Sequence, residues 1–138
     1  MRPLAATTAQ NMVIGMKSEQ EKTKSLRRAW QKRAEREREE LENLRRDALL
    51  KAAAAAAHLK KKYKVRTVYL YGSLARGRRF DRRSDIDLLV EGFPAGANYW
   101  RMLVELEEIT SPIEVNVVLG EDASPSLREK ARGEGKLL

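Results

Sequence analysis

Between Ser18 and Lys62 no proline or glycine interrupts the chain, and Ala, Leu, Glu, Lys and Arg dominate. These are the strongest helix formers, and Ser18-Glu-Gln-Glu21 has the pattern of a capping box, so one long helix is predicted over 18–62. Leu41, Leu44, Ala48, Ala52, Ala55 and Leu59 recur in steps of three and four and mark an apolar stripe on that helix. Upstream the stripe thins to Leu26, Trp30, Ala34 and Glu37. The C-terminal part of the helix is therefore expected to pack on a domain, and the N-terminal part to project or to pair with a second copy. The period then changes. Val65–Tyr71, Asp85–Glu91 and Ile113–Leu119 are short runs rich in β-branched and aromatic residues and read as strands. Between them lie a short helical turn at Leu74–Gly77, a loop at Arg78–Arg83, and a helix capped by Asn98 that ends before Ser111-Pro112. Ser124-Pro125 opens a last helix, for which Gly133 is the expected stop. The order α-β-α-β-α-β-α predicts an α/β fold: a small mixed sheet of three or more strands, flanking helices and a long N-terminal helix. The domain plan is an unstructured lead at 1–17, a long basic helix at 18–62 and a catalytic-type domain at 63–138.

Composition narrows the setting. The chain has 138 residues, enough for one modest domain, and no cysteine, so disulfides and thiolate metal sites are excluded. No apolar run approaches the roughly 20 residues that span a bilayer, and no secretory pattern opens the sequence, so a cytoplasmic location without a membrane partner is expected. The net charge of +8 is unevenly placed. Residues 17–64 hold sixteen Lys/Arg and eight Asp/Glu, and the remainder holds twelve of each. A basic helix can bind nucleic acid. A solvated helix face laced with charge pairs is the preferred reading, because Trp30 is the one aromatic before Tyr63 and bases would have little to stack on.

The chemistry is concentrated in Tyr69-Leu-Tyr-Gly-Ser-Leu-Ala-Arg-Gly and, with eleven residues between Ser73 and Asp85, in Asp85-Ile-Asp-Leu-Leu-Val. A Gly-Ser turn after a strand exposes backbone N–H groups that attract phosphate. Asp85 and Asp87, two apart on a strand, point to one face, while Ile86, Leu88 and Val90 point to the other. Paired carboxylates on one face suit magnesium, which prefers oxygen ligands and often keeps substrate phosphate in its shell. Arg76, with Arg78, Arg79, Arg82 and Arg83, would focus positive potential on the same place. His58, the one histidine, sits beside the apolar stripe and reads as structural. Tyr69, Tyr71, Tyr99 and Trp100 read as packing or partner surface.

Gly72, Ser73, Asp85 and Asp87 match, residue by residue, the Gly-Ser…Asp-x-Asp motif of the minimal nucleotidyltransferases of the DNA polymerase β-like superfamily, and the resemblance runs from about Asp47 to the C-terminus. It implies a nucleotidyltransferase fold and transfer of a nucleoside monophosphate, AMP from ATP, to a hydroxyl. Asp85 and Asp87 would bind two Mg2+ ions, and Gly72, Ser73 and Arg76 the nucleotide. It also implies a role as antitoxin of a HEPN toxin, with a toxin tyrosine as acceptor. The resemblance breaks at one place. The family's third carboxylate, on a later strand, falls here on Asn116 of Ile113-Glu-Val-Asn-Val-Val-Leu119. An amide carries no charge and is no base at neutral pH. Glu114, on the same strand face and about 6 to 7 Å away, is the alternative third acid. Asp85, Asp87, Asn116 and Glu114 are thus the catalytic candidates. The rival readings are a nucleotide-binding antitoxin that neutralises its partner by binding alone, an antibiotic-modifying adenylyltransferase lacking its second domain, and a nucleic-acid-binding arm.

Overall fold

The protein was analysed as a computed structural model, which describes residues 2–77 and 80–138, with side chains described from Glu19 onward. The expected lead at 1–17 and the cap at Ser18 lie outside the described side chains, and Arg78 and Arg79 outside the described residues. Helix α1 spans Arg2–Tyr63. The chain divides into two compact units, Met1–Glu40 and Leu41–Leu138. In the first, every described side chain from Glu19 to Glu40 is exposed, with Leu26 and Trp30 among them.

The second unit contains the sheet. Strands β1 (Thr67–Tyr71), β2 (Ile86–Glu91), β3 (Val115–Leu119) and β4 (Lys136–Leu137) lie in the order β3-β2-β1-β4. β1 pairs antiparallel with β2 and β4, and β2 pairs parallel with β3, so the sheet is mixed as expected. Helices α2 (Gly72–Arg76), α3 (Tyr99–Thr110) and α4 (Pro125–Glu134) connect them. α3 is the crossover a parallel pair requires. Its N-cap Asn98 accepts from the Arg101 N–H, and Ser124 caps α4 ahead of Pro125 in the same way.

Strand alternation sorts the residues into two faces. Val68, Leu70, Ile86, Leu88, Val90, Val115 and Val117 join Ala48, Ala52, Ala55, Ala56 and Leu59 of α1 and Met102 and Leu106 of α3 in the main core. The alanines let a helix come close to the sheet, and a leucine there would overfill the contact. On the other face Leu89, Tyr69, Tyr71 and Val118 pack with Ala123, Leu127 and Ala131 around α4. The stripe on α1 is confirmed from Ala48 onward, but Leu41 is exposed and Leu44 only partly covered. The strands start later than their composition predicts: Asp85 and Glu114 each stand just before a strand. α4 continues through Gly133, and Gly135 caps it. Strand β4 escaped the sequence because two residues are too few to show a period.

Candidate active site

The register of the sheet builds the site. Tyr71 of β1 lies opposite Asp87 of β2, and Asp87 opposite Asn116 of β3. This row runs across three strands, on the face away from the main core. Asp85 stands two residues before Asp87, with Ile86 fully buried between them, so the shared direction of the two carboxylates is as predicted.

Gly72 follows Tyr71 with φ +79°, and a Cβ there would sit 2.4 Å from Asp87 Oδ2. A side chain is thus barred twice, by the left-handed backbone and by the carboxylate. The chain turns at this point into α2, which contains Ser73 and ends with exposed Arg76. The first N–H groups of a helix have no intrahelical acceptor, and Tyr71 in the N-cap place supplies none from its side chain. Gly77 closes the turn in the left-handed conformation, its N–H donating to the Ser73 carbonyl at 3.0 Å.

Asn116 makes the contact that joins the predicted residues. Its Nδ2 donates to Asp85 Oδ2 at 3.1 Å and to Asp87 Oδ1 at 3.2 Å. The amide thus bridges the two carboxylates with its positive end. Asp87 is half-buried, and burial raises its carboxyl above the usual range; the Asn116 hydrogen bond opposes this, and the Asp85 charge adds to the rise. Burial also raises Tyr71, helped by the negative charge of Asp87. Glu114 is exposed, with its carbonyl accepting from the Ile86 N–H at 2.8 Å. It lines a cleft of about 490 Å³ that also holds Asp85, Arg82 and Arg83, and a second cleft that holds Asn116.

Residues 55–138 match the family described as polymerase beta, nucleotidyltransferase. This chain belongs to that family. Its fold is similar to a solved candidate minimal nucleotidyltransferase, at 31% identity over 71% of this chain and 95% of that one, with a TM-score of 0.55. A toxin–antitoxin crystallised with AMP-PNP is 26% identical over 61% of this chain and 69% of that one, with a TM-score of 0.52. A candidate protein adenylyltransferase of Methanocaldococcus jannaschii is 42% identical over 55 residues, 37% of this chain and 54% of that protein. The chain therefore spans about half the length of this curated relative. As a nucleotidyltransferase it carries the Gly-Ser turn and the Asp pair of the expected motif, with Asn116 drawn onto that pair. The sequence did not show that the amide would touch both carboxylates, since this depends on the β2–β3 register. Nor did it mark Tyr71 as a member of the row. No helix among the described residues is long and apolar enough to cross a membrane.

Proposed function

We propose that this nucleotidyltransferase transfers AMP from ATP to a hydroxyl on a HEPN-type toxin, as the antitoxin of a cytoplasmic pair. The observation that carries the proposal is the row Tyr71–Asp87–Asn116 set behind Gly72, with Asp85 beside it. The relative described as a protein adenylyltransferase and the toxin–antitoxin solved with AMP-PNP support the nucleotide and the kind of acceptor.

The residues fit a cation. Asn116 Nδ2, a partial positive charge, already lies within hydrogen-bond distance of an oxygen of each carboxylate. Asp85 and Asp87 would hold Mg2+, and the ions would neutralise charge on the phosphates and lower the pKa of the attacking hydroxyl. For Asn116 to contribute, its amide must turn over so that Oδ1, the only acceptor on the side chain, faces the ion. Gly72 and Ser73 present N–H groups, and Ser73 its hydroxyl, to the triphosphate, with Arg76 at the far end of α2. The acceptor oxygen attacks the α-phosphorus and forms a new P–O bond. The bond to the bridging oxygen breaks, and pyrophosphate leaves. The hydroxyl proton must pass to a base, for which Glu114, exposed and bordering both clefts, is the candidate carboxylate.

Calorimetric titration with ATP and magnesium tests the metal assignment. Asp85→Asn with Asp87→Asn should abolish magnesium-dependent binding while the melting curve stays cooperative. Equal affinity in both proteins would remove the two aspartates from the metal site. The alternative to transfer is neutralisation by binding alone. It predicts nucleotide binding and partner inhibition with no labelled AMP on the partner.

A further inference from the structure

Two clefts meet at Glu114 and differ in charge, one adding Arg82 and Arg83 and the other Glu107. We propose that the exposed face of α3, with the cleft between α3 and β3, is the docking site for the protein acceptor. The inference rests on the transfer reading above, and it adds where the acceptor binds and what it carries next to its hydroxyl.

Reaction geometry sets the direction. In phosphoryl transfer the attacking and leaving oxygens lie roughly in line through phosphorus. Pyrophosphate leaves toward the Gly72–Ser73 turn, which follows β1. The Asp pair is at the start of β2. The hydroxyl must then arrive from the opposite side, where β3 forms the edge of the sheet.

A cleft of about 500 Å³ lies there, bounded by Leu103, Glu107 and Ser111 on one wall and by Glu114 and Asn116 on the other. Two of its lining residues, Glu107 and Ser111, continue an exposed stripe of α3. Trp100, Val104, Glu107 and Ser111 are spaced four, three and four residues apart, so they share one stripe of α3 and its end. Trp100 is 72% exposed and Val104 54% exposed, and both are large and apolar. From Trp100 to Ser111 the stripe runs about 16 Å, at 1.5 Å per residue. Exposed tryptophan is the residue type most often found at the energetic centre of a protein interface.

Charge selects the occupant. Among the described residues this cleft is lined by two carboxylates, Glu107 and Glu114, and by no Lys or Arg. Lys51, whose Nζ donates to the Ser111 carbonyl, is held by Asp47 at 2.9 Å. The neighbouring cleft shares Pro112, Ile113 and Glu114 with this one and adds Arg82, Arg83 and Asp85. Glu107, which lines only the α3 cleft, adds to Glu114 a second negative charge that disfavours a polynucleotide acceptor there. The acceptor that fits is a protein segment with an apolar anchor for Trp100 and Val104 and a cationic residue near its hydroxyl for Glu107. In the transfer step this hydroxyl oxygen bonds to the α-phosphorus as pyrophosphate leaves.

Trp100→Ala and Glu107→Lys test this, with a HEPN-type partner protein as the probe. Both side chains are exposed, so both variants should melt like the wild type. Trp100→Ala should weaken partner affinity by about thirtyfold, the size of an interface hot spot, and raise the KM for acceptor in parallel. Glu107→Lys should weaken it on the order of tenfold, with a steeper loss at low salt. Magnesium-dependent ATP binding should be unchanged in both. Unchanged partner affinity in both variants would overturn the proposal. So would AMP transfer to RNA in preference to protein, or a change in sedimentation of Trp100→Ala alone, which would mean a second copy covers this face. If the wild type binds partner and ATP but transfers nothing, partner affinity still reports on the surface, and only the transfer reading fails.

Discussion

Asn116 is the residue on which activity turns. Its Nδ2 donates to both members of the Asp pair, but it offers neither charge nor basicity for the reaction. If the family's third-acid position is catalytic here, Asn116→Asp should accelerate AMP transfer on the order of 10²-fold, the scale of a positioned general base. If Glu114 is the proton acceptor, Glu114→Gln should remove transfer and Asn116→Asp should change it little. Single-turnover transfer with labelled ATP separates these outcomes, and a rate unaffected by either change would leave partner binding as the function. Gly72, Ser73, Asp85 and Asp87 could be located in the sequence because their spacing alone carries their geometry. Asn116 could be located by alignment to the family pattern, but its contact with both carboxylates could not, because parallel pairing joins residues that are 29 and 31 positions apart.

At the scale of elements, the join between α1 and α3 is polar and centres on Glu105. Its carboxylate accepts hydrogen bonds from Lys62, from the Tyr63 hydroxyl and, at 3.3 Å, from His58 Nε2. These hold it down at about 2, with Lys62 the largest cause, then Tyr63, against the opposing effect of burial. Burial and the same carboxylate push the Tyr63 hydroxyl up to about 12. A carboxyl whose folded pKa lies below its usual 4.5 stabilises the fold above that pH and loses the contribution as pH falls toward 2. Thermal melts of wild type should therefore decline more steeply over that window than those of Glu105→Gln, which should start lower at neutral pH. Parallel curves would show that the contacts carry no stability. The helices were legible from their stripes and caps at Asn98 and Ser124, whereas this polar join was not, because no periodicity links His58 and Tyr63 to Glu105.

For the whole molecule, the chain divides after Glu40. Among the described residues every sheet and core element lies in Leu41–Leu138, and the exposed Leu26 and Trp30 lie before it. A fragment beginning at Leu41 should fold and bind ATP with magnesium as the full chain does, yet self-associate less. Sedimentation and calorimetry of the two proteins decide this, and a fragment that fails to fold would place the arm in the core. The row Tyr71–Asp87–Asn116 has a separate consequence. Its members come from three strands, and two of those strands meet only after the whole α3 crossover has formed. A partly unfolded chain thus has no binding site, and nucleotide can bind only the assembled sheet. Ligand and fold are then thermodynamically linked: ATP with magnesium at a hundred times its dissociation constant should stabilise the protein by about 2.7 kcal/mol. Because the site exists only in the folded sheet, loss of nucleotide would leave the folding rate alone and show as faster unfolding and faster proteolysis.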